Sequence, residues 1–305
     1  MNLELLIKGR LEDLVDCTEI NPSNNKFVLS LINDYEEGIW REEKFNKIIW
    51  DNIAETALSI KEREALLDSG YSKLIESAKK LRLVSPKAKG QGGQIAEILL
   101  YAVMKFHYGA LPIVPKIFYK QNRQDEAKGA DSVHIVIEKD NSFSIWFGEA
   151  KFYNSIANNR LGSIVDSVKK SLDKEKIKKE NSIITNLSDI NYLVEDPDLR
   201  NEILDLLKPT ETIDKIKPML HIPIMMLNEC LVTQSHHTIT QAYKDELSAF
   251  HLDRASAYFK KQIESFNDLS GYADITFHLI IIPVFKKKPL VDDFRKRAKF
   301  FNDES

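Results

Sequence analysis

Two stretches of alternating residues constrain this chain more than any other feature: Asp131-Ser-Val-His-Ile-Val-Ile-Glu138 and Phe143-Ser-Ile-Trp-Phe-Gly-Glu-Ala-Lys151. Successive side chains of a β-strand point to opposite faces, so the odd positions of each stretch share a face. In the first, that face carries Asp131, Val133, Ile135 and Ile137. In the second it carries Phe143, Ile145, Phe147, Glu149 and Lys151. Both faces are apolar, and both end in charge at the end away from the intervening Lys139-Asp-Asn-Ser142, which is turn material. The pair therefore predicts a β-hairpin. If both apolar faces pack on one core, odd positions pair with odd, which requires a loop of odd length such as Lys139-Asp140-Asn141. Asp131 then lies opposite Glu149, with Lys151 on the same face.

Two carboxylates held together at the mouth of an apolar face repel each other, and burial adds to the cost. A divalent cation removes that cost. Carboxylate and carbonyl oxygens suit Mg²⁺ or Mn²⁺, which keeps several waters and accepts phosphate oxygens. Such an ion acidifies a bound water and offsets charge on a phosphoryl group. An adjacent ammonium, Lys151, would position the attacking water and stabilise the developing negative charge. The main-chain carbonyl of Ala150 supplies a further candidate ligand. The pattern points to metal-dependent phosphodiester hydrolysis, with Asp131, Glu149 and Lys151 as catalytic candidates.

Upstream, Ser85-Pro-Lys-Ala-Lys-Gly-Gln-Gly-Gly predicts a loop, and Gln94-Ile-Ala-Glu-Ile-Leu-Leu-Tyr-Ala-Val-Met-Lys-Phe a helix apolar on nearly all sides and hence buried. Glu97 stands inside that helix with no basic residue three or four positions away, which makes it a candidate fourth member of the site. Residues 1 to about 85 predict a mostly helical region, marked by Phe45, Ile48, Ile49 and Ile53 and by a helix starting near Ser72. Downstream, helices are expected over 157–178, 197–208, 240–266 and 289–300. Strands are expected at Leu220-His-Ile-Pro-Ile-Met-Met-Leu and from Tyr272 through Ile282. Strands alternating with helices predict an α/β layer architecture.

Together, Glu97, Gly129-Ala-Asp131 and Gly148-Glu-Ala-Lys151 resemble the Glu…Asp…Glu-x-Lys signature of the PD-(D/E)xK, restriction-endonuclease-like superfamily. Ala130 stands where the superfamily name has proline. More narrowly, GQGGQIAEILLY, KGADSVHI and WFGEAKFYNSI resemble the HamA family of Hachiman anti-phage systems. The resemblance implies a mixed sheet flanked by helices over residues 86–305, with a C-terminal α/β extension and the helical region 1–85 before it. It also implies a DNA nuclease, held in check by a HamB-like partner helicase and released when infection disturbs DNA. Asp131, Glu149 and Lys151 match the family's acidic pair and lysine, and Glu97 its helical glutamate.

The formal net charge is −3, so a nucleic-acid binder of this composition must gather its basic residues locally. Candidates for DNA contact are Lys120, Arg123 and Lys128 in a basic loop, and Arg160 on the helix after the motif. The basic run near the end, Lys286-Lys-Lys288 and Arg295-Lys-Arg297, is a solvated helix face or a contact for DNA or a partner. The two cysteines form no ligand spacing. The start lacks a signal-peptide core, and the longest apolar run near the end is too short to span a bilayer, so a cytoplasmic protein without membrane contact is expected. His134 falls on the face opposite Asp131 and suits packing or surface; His236, His237 and His251 suit loop and helix surfaces. The competing possibility is a catalytically inactive nuclease fold that serves as an adaptor for DNA or a helicase.

Overall fold

In a computed structural model of the chain, which describes residues 1–81, 92–119, 129–186 and 189–303, a seven-stranded sheet runs through the molecule. Its strands are β1 (Glu4–Arg10), β2 (Lys26–Ile32), β5 (Leu111–Val114), β6 (Ser132–Ile137), β7 (Phe143–Tyr153), β8 (Leu220–Glu229) and β9 (Thr276–Val284). A separate two-stranded ladder pairs β3 (Tyr35–Glu36) with β4 (Ile39–Trp40). The sheet order is β1-β2-β9-β8-β7-β6-β5. Strands β2, β9, β8 and β7 are parallel neighbours, and antiparallel pairs close both sides. The central strands are buried on both faces, as parallel strands covered by helices must be, which explains the unbroken apolar run of β9.

The helices that bear on the site are α1 (Glu42–Asp51), α2 (Gly70–Lys79), α3 (Gly93–Tyr108), α4 (Asn158–Ser171), α5 (Lys174–Asn186), α6 (Gln241–Phe266) and α7 (Lys287–Asp303). They cover both faces of the sheet. On one, Val133, Ile135, Ile145 and Phe147 pack with Leu161, Ile164, Val165 and Val168 of α4, Ile177 of α5 and Tyr258 of α6. On the other, Trp146, Ala150 and Phe152 pack with Ile95, Leu99 and Val103 of α3, Ile49 of α1 and Val291 of α7. The mixed sheet flanked by helices is the α/β architecture that the sequence predicts.

The first 85 residues depart from the helical expectation. Strands β1 and β2 both lie there, and β2 pairs in parallel with β9, about 250 residues away in sequence. Nothing local announces that partner, and an apolar stretch such as Phe27–Ile32 suits a short helix or a buried strand equally. Helix α2 begins at Gly70, with Ser69 rather than Ser72 at its N-cap. The single helix expected over 157–178 is two, broken at Leu172 and Asp173. The expected boundary at residue 85 lies outside the described residues. Among the described residues, no helix is long and apolar enough to cross a membrane.

Candidate active site

The hairpin has the register that alternation predicts. Val133 pairs with Phe147, Ile135 with Ile145 and Ile137 with Phe143. The loop closes on Lys139-Asp140-Asn141: Glu138 N–H donates to the Ser142 carbonyl at 2.8 Å, and Asn141 takes φ +64°. A three-residue hairpin loop needs a left-handed residue at its end, and asparagine tolerates that conformation. Asp140 steadies the turn by accepting from Ser142 N–H at 3.0 Å.

Unequal strand length opens the site. Ladder pairing of β6 with β7 ends at Ser132 and Gly148, and Asp131 N–H then donates to the Gly148 carbonyl at 2.7 Å. Strand β7 continues to Tyr153, held from Glu149 onward by β8 on its other side. The β6-side edge of residues 149–153 is thereby free for side chains. Asp131 uses it first: its Oδ2 accepts from Ala150 N–H at 3.1 Å. In an extended strand the N–H and C=O of one residue point to the same side, so the Ala150 carbonyl also turns to this edge.

Asp131, Glu149 and Lys151 meet there, on the face that packs against α4. Lys151 Nζ donates to Glu149 Oε1 and stands 3.7 Å from Asp131 Oδ2. The side chain of Glu149 is 6% exposed, that of Asp131 17% and that of Lys151 31%, so the cluster is sheltered but reachable. Burial, and then the charge of Asp131, raise the Glu149 pKa, with Lys151 only partly offsetting them. Burial works against the Lys151 ammonium, but the two carboxylates outweigh it and raise its pKa. Among the described residues, two carboxylates thus share one ammonium.

One partner was not visible in the sequence. Ser167, on α4, donates its hydroxyl to Glu149 Oε1. Periodicity marks Leu161, Ile164, Val165 and Val168 as the buried stripe of that helix, but it cannot say that the serine flanking the stripe reaches a carboxylate on β7.

Glu97 is partly buried on α3, one turn before Tyr101, and α3 packs on the face of β7 that carries Ala150 and Phe152. Among the described residues, no group of three or more His, Cys, Asp or Glu side chains stands ready to hold a metal, so Glu97 does not join Asp131 and Glu149 in such a group. Gly92 caps α3 with φ +86°, and a Cβ there would fall 2.7 Å from the Phe152 ring, so this glycine serves close packing of helix on strand.

Of the basic candidates, Arg160 is exposed on α4. Lys120, Arg123 and Lys128 lie outside the described residues. Lys287 donates to the Phe152 carbonyl at 2.5 Å, which ties the start of the basic α7 to the end of β7. His134 is buried against the Tyr101 ring, 4.5 Å away, and burial lowers its pKa to about 3, so it packs as a neutral ring. His251 is not on a helix surface: it is fully buried, with Nδ1 2.7 Å from the Ser30 hydroxyl, because α6 turns that position onto β2.

The donor set fits a hard divalent cation. It comprises two carboxylates and one edge carbonyl, all oxygen, with a monovalent cation already drawn between the carboxylates. Mg²⁺ typically takes one or two protein carboxylates and completes its shell with water and substrate phosphates. No curated protein matches the chain. The HamA family model matches residues 9–298. This chain belongs to the HamA family and is a component of Hachiman defence.

Proposed function

We propose that this protein is a metal-dependent DNA nuclease, the effector of its defence system. The observation that carries the reading is the meeting of Asp131, Glu149 and Lys151 on one face, where the β6–β7 ladder ends. Asp131, Glu149 and the Ala150 carbonyl would hold Mg²⁺ or Mn²⁺. When bound, the cation neutralises the carboxylates and polarises a phosphodiester. Lys151, beside that pair, would face the scissile phosphate, where an ammonium would stabilise the added negative charge. Ser167 orients Glu149 throughout. DNA would approach over the exposed face of α4 that bears Arg160, whose exposure and charge support that path.

The family resemblance supports regulation by a HamB-like helicase that keeps the nuclease idle until DNA is disturbed. The net charge of −3 suits such control, since weak general attraction to DNA is easily overridden by a partner.

The test is cleavage of DNA by the purified protein with Mg²⁺ or Mn²⁺. Glu149→Gln and Lys151→Met should each lower the rate by about 10²–10³-fold, the usual cost of removing one preorganised electrostatic group. Cleavage that survives both substitutions, or ignores a chelator, would sink the proposal. A silent wild type that still binds Mn²⁺ indicates an effector awaiting release. One that binds no Mn²⁺ indicates an adaptor that keeps the fold without the chemistry.

A further inference from the structure

The segment that delivers Asp131 is held from outside the sheet. Strand β5 pairs with β6 only as far as Val114 and Val133, and the chain then turns into the short helix Lys116–Tyr119. Residues 129–131 therefore run on without β5 beside them. Glu180, on α5, takes its place. Its side chain is 4% exposed, and its Oε1 accepts from Ala130 N–H at 2.9 Å. Its Oε2 accepts from Lys116 Nζ at 2.5 Å, and the Lys116 side chain is 1% exposed. A Cβ on Gly129 would lie 1.6 Å from Glu180 Oε1, so glycine at that position lets the carboxylate reach the main chain. The next amide, Asp131 N–H, is fixed by the Gly148 carbonyl at 2.7 Å. Two consecutive amides are thus clamped, one by α5 and one by β7, immediately before the Asp131 carboxylate.

Stability alone does not explain this arrangement. Desolvating an ion pair offsets most of its attraction, and an apolar pair of similar shape serves packing as well or better. What an apolar pair cannot supply is an acceptor for the Ala130 amide, which would otherwise be a buried unmet donor. We propose that Glu180, with its charge balanced by Lys116, is a positioning residue: by fixing the Ala130 main chain it sets the Asp131 carboxylate opposite Glu149 at the separation a divalent cation requires. This rests on the reading of Asp131 and Glu149 as the cation-binding pair.

The experiment compares two double variants of the full chain that remove both charges of this pair and differ only in the acceptor. Lys116→Met with Glu180→Gln keeps an oxygen for Ala130, whereas Lys116→Met with Glu180→Leu removes it. The readouts are thermal unfolding, Mn²⁺ affinity by calorimetry and amide hydrogen exchange over residues 129–132. The leucine variant should unfold cooperatively, exchange faster at Ala130 and bind Mn²⁺ at least about tenfold more weakly, the lower end of what supporting groups contribute to metal sites. The glutamine variant should restore both slow exchange and wild-type affinity. Wild-type Mn²⁺ affinity in the leucine variant overturns the inference. If that variant does not fold, Gly129→Ala displaces the carboxylate with every charge in place: the same weakening supports the inference, and unchanged affinity overturns it. Failure of the underlying reading has a different signature: wild type that binds no Mn²⁺, or Asp131→Asn and Glu149→Gln that bind it undiminished. Either result removes the basis for the inference as well.

Discussion

Two lysine–carboxylate clusters flank the segment that leads into β6, and they are built on opposite plans. Lys116 and Glu180 are sealed from solvent and paired with each other, with the second carboxylate oxygen taken up by a main-chain amide. Lys151, Glu149 and Asp131 are partly open and, among the described residues, set two carboxylates on one ammonium. A closed pair is shielded from exchange and acts as a fixed strut. In the proposed function the open cluster trades its ammonium for a stronger cation. The same residue types therefore give a sealed strut in one place and a solvent-reachable cluster in another, and the difference lies in solvent access.

The largest effect should come from unbalancing the closed cluster. Lys116→Met leaves Glu180 as a buried, uncompensated charge, which costs about 3–5 kcal/mol. Chemical denaturation should register that loss, while Lys151→Met in the open cluster should cost far less stability because solvent and a divalent ion can compensate. Equal stability loss in the two variants would erase the distinction between the clusters.

The open cluster should respond to pH. The proposed binding of Mn²⁺ would require ionised Glu149, whose pKa is raised above its ordinary 4.5 by burial and by Asp131. For this carboxyl the folded state holds its proton more tightly than the unfolded chain does. Its contribution to stability is therefore complete below the unfolded value and is lost as pH rises through the folded one. Cation binding runs the other way and is lost as pH falls through the raised value. Lys151→Met removes the charge that pulls Glu149 down, so its acid limb should move to still higher pH, while Mn²⁺ affinity at alkaline pH tightens. Calorimetric titration across pH checks both signs, and identical acid limbs would show that the ammonium and the carboxyl are not coupled.

The smallest effect belongs to Ser167→Ala, which removes one hydrogen bond to Glu149 and should cost about 1 kcal/mol, a several-fold weakening of Mn²⁺ binding. A Ser167→Thr variant that restores affinity would show that the hydroxyl, rather than the packing of α4, is responsible.

The three-residue cluster was legible in the sequence for a local reason. A hairpin joins residues close in sequence, side-chain alternation has a period of two, and a short loop rich in turn residues leaves little freedom of register. Asp131 opposite Glu149 follows from those rules, as does Lys151 on the same face. The buried helix around Ile95–Met104 was equally plain from its composition.

Other features depended on which surfaces meet across long sequence distances, and no local rule contains that information. Strand β2 is a strand because β9 supplies its parallel ladder, and β1 pairs in turn with β2, so a region that suits helices locally is drawn into the sheet. Helix α3, which carries Glu97, packs on the face that Ala150 presents, and that choice is made by the apolar sides of helix and sheet. Ser167 and Glu180 lie 18 and 50 residues from the groups they hold, and each reaches them only because α4 and α5 fold back over the hairpin. The sequence by itself determined the chemistry on one strand face, because alternation and turn length are local constraints. The tertiary structure alone decided what surrounds, orients and balances those charges, because long-range packing sets burial and hydrogen-bond partners.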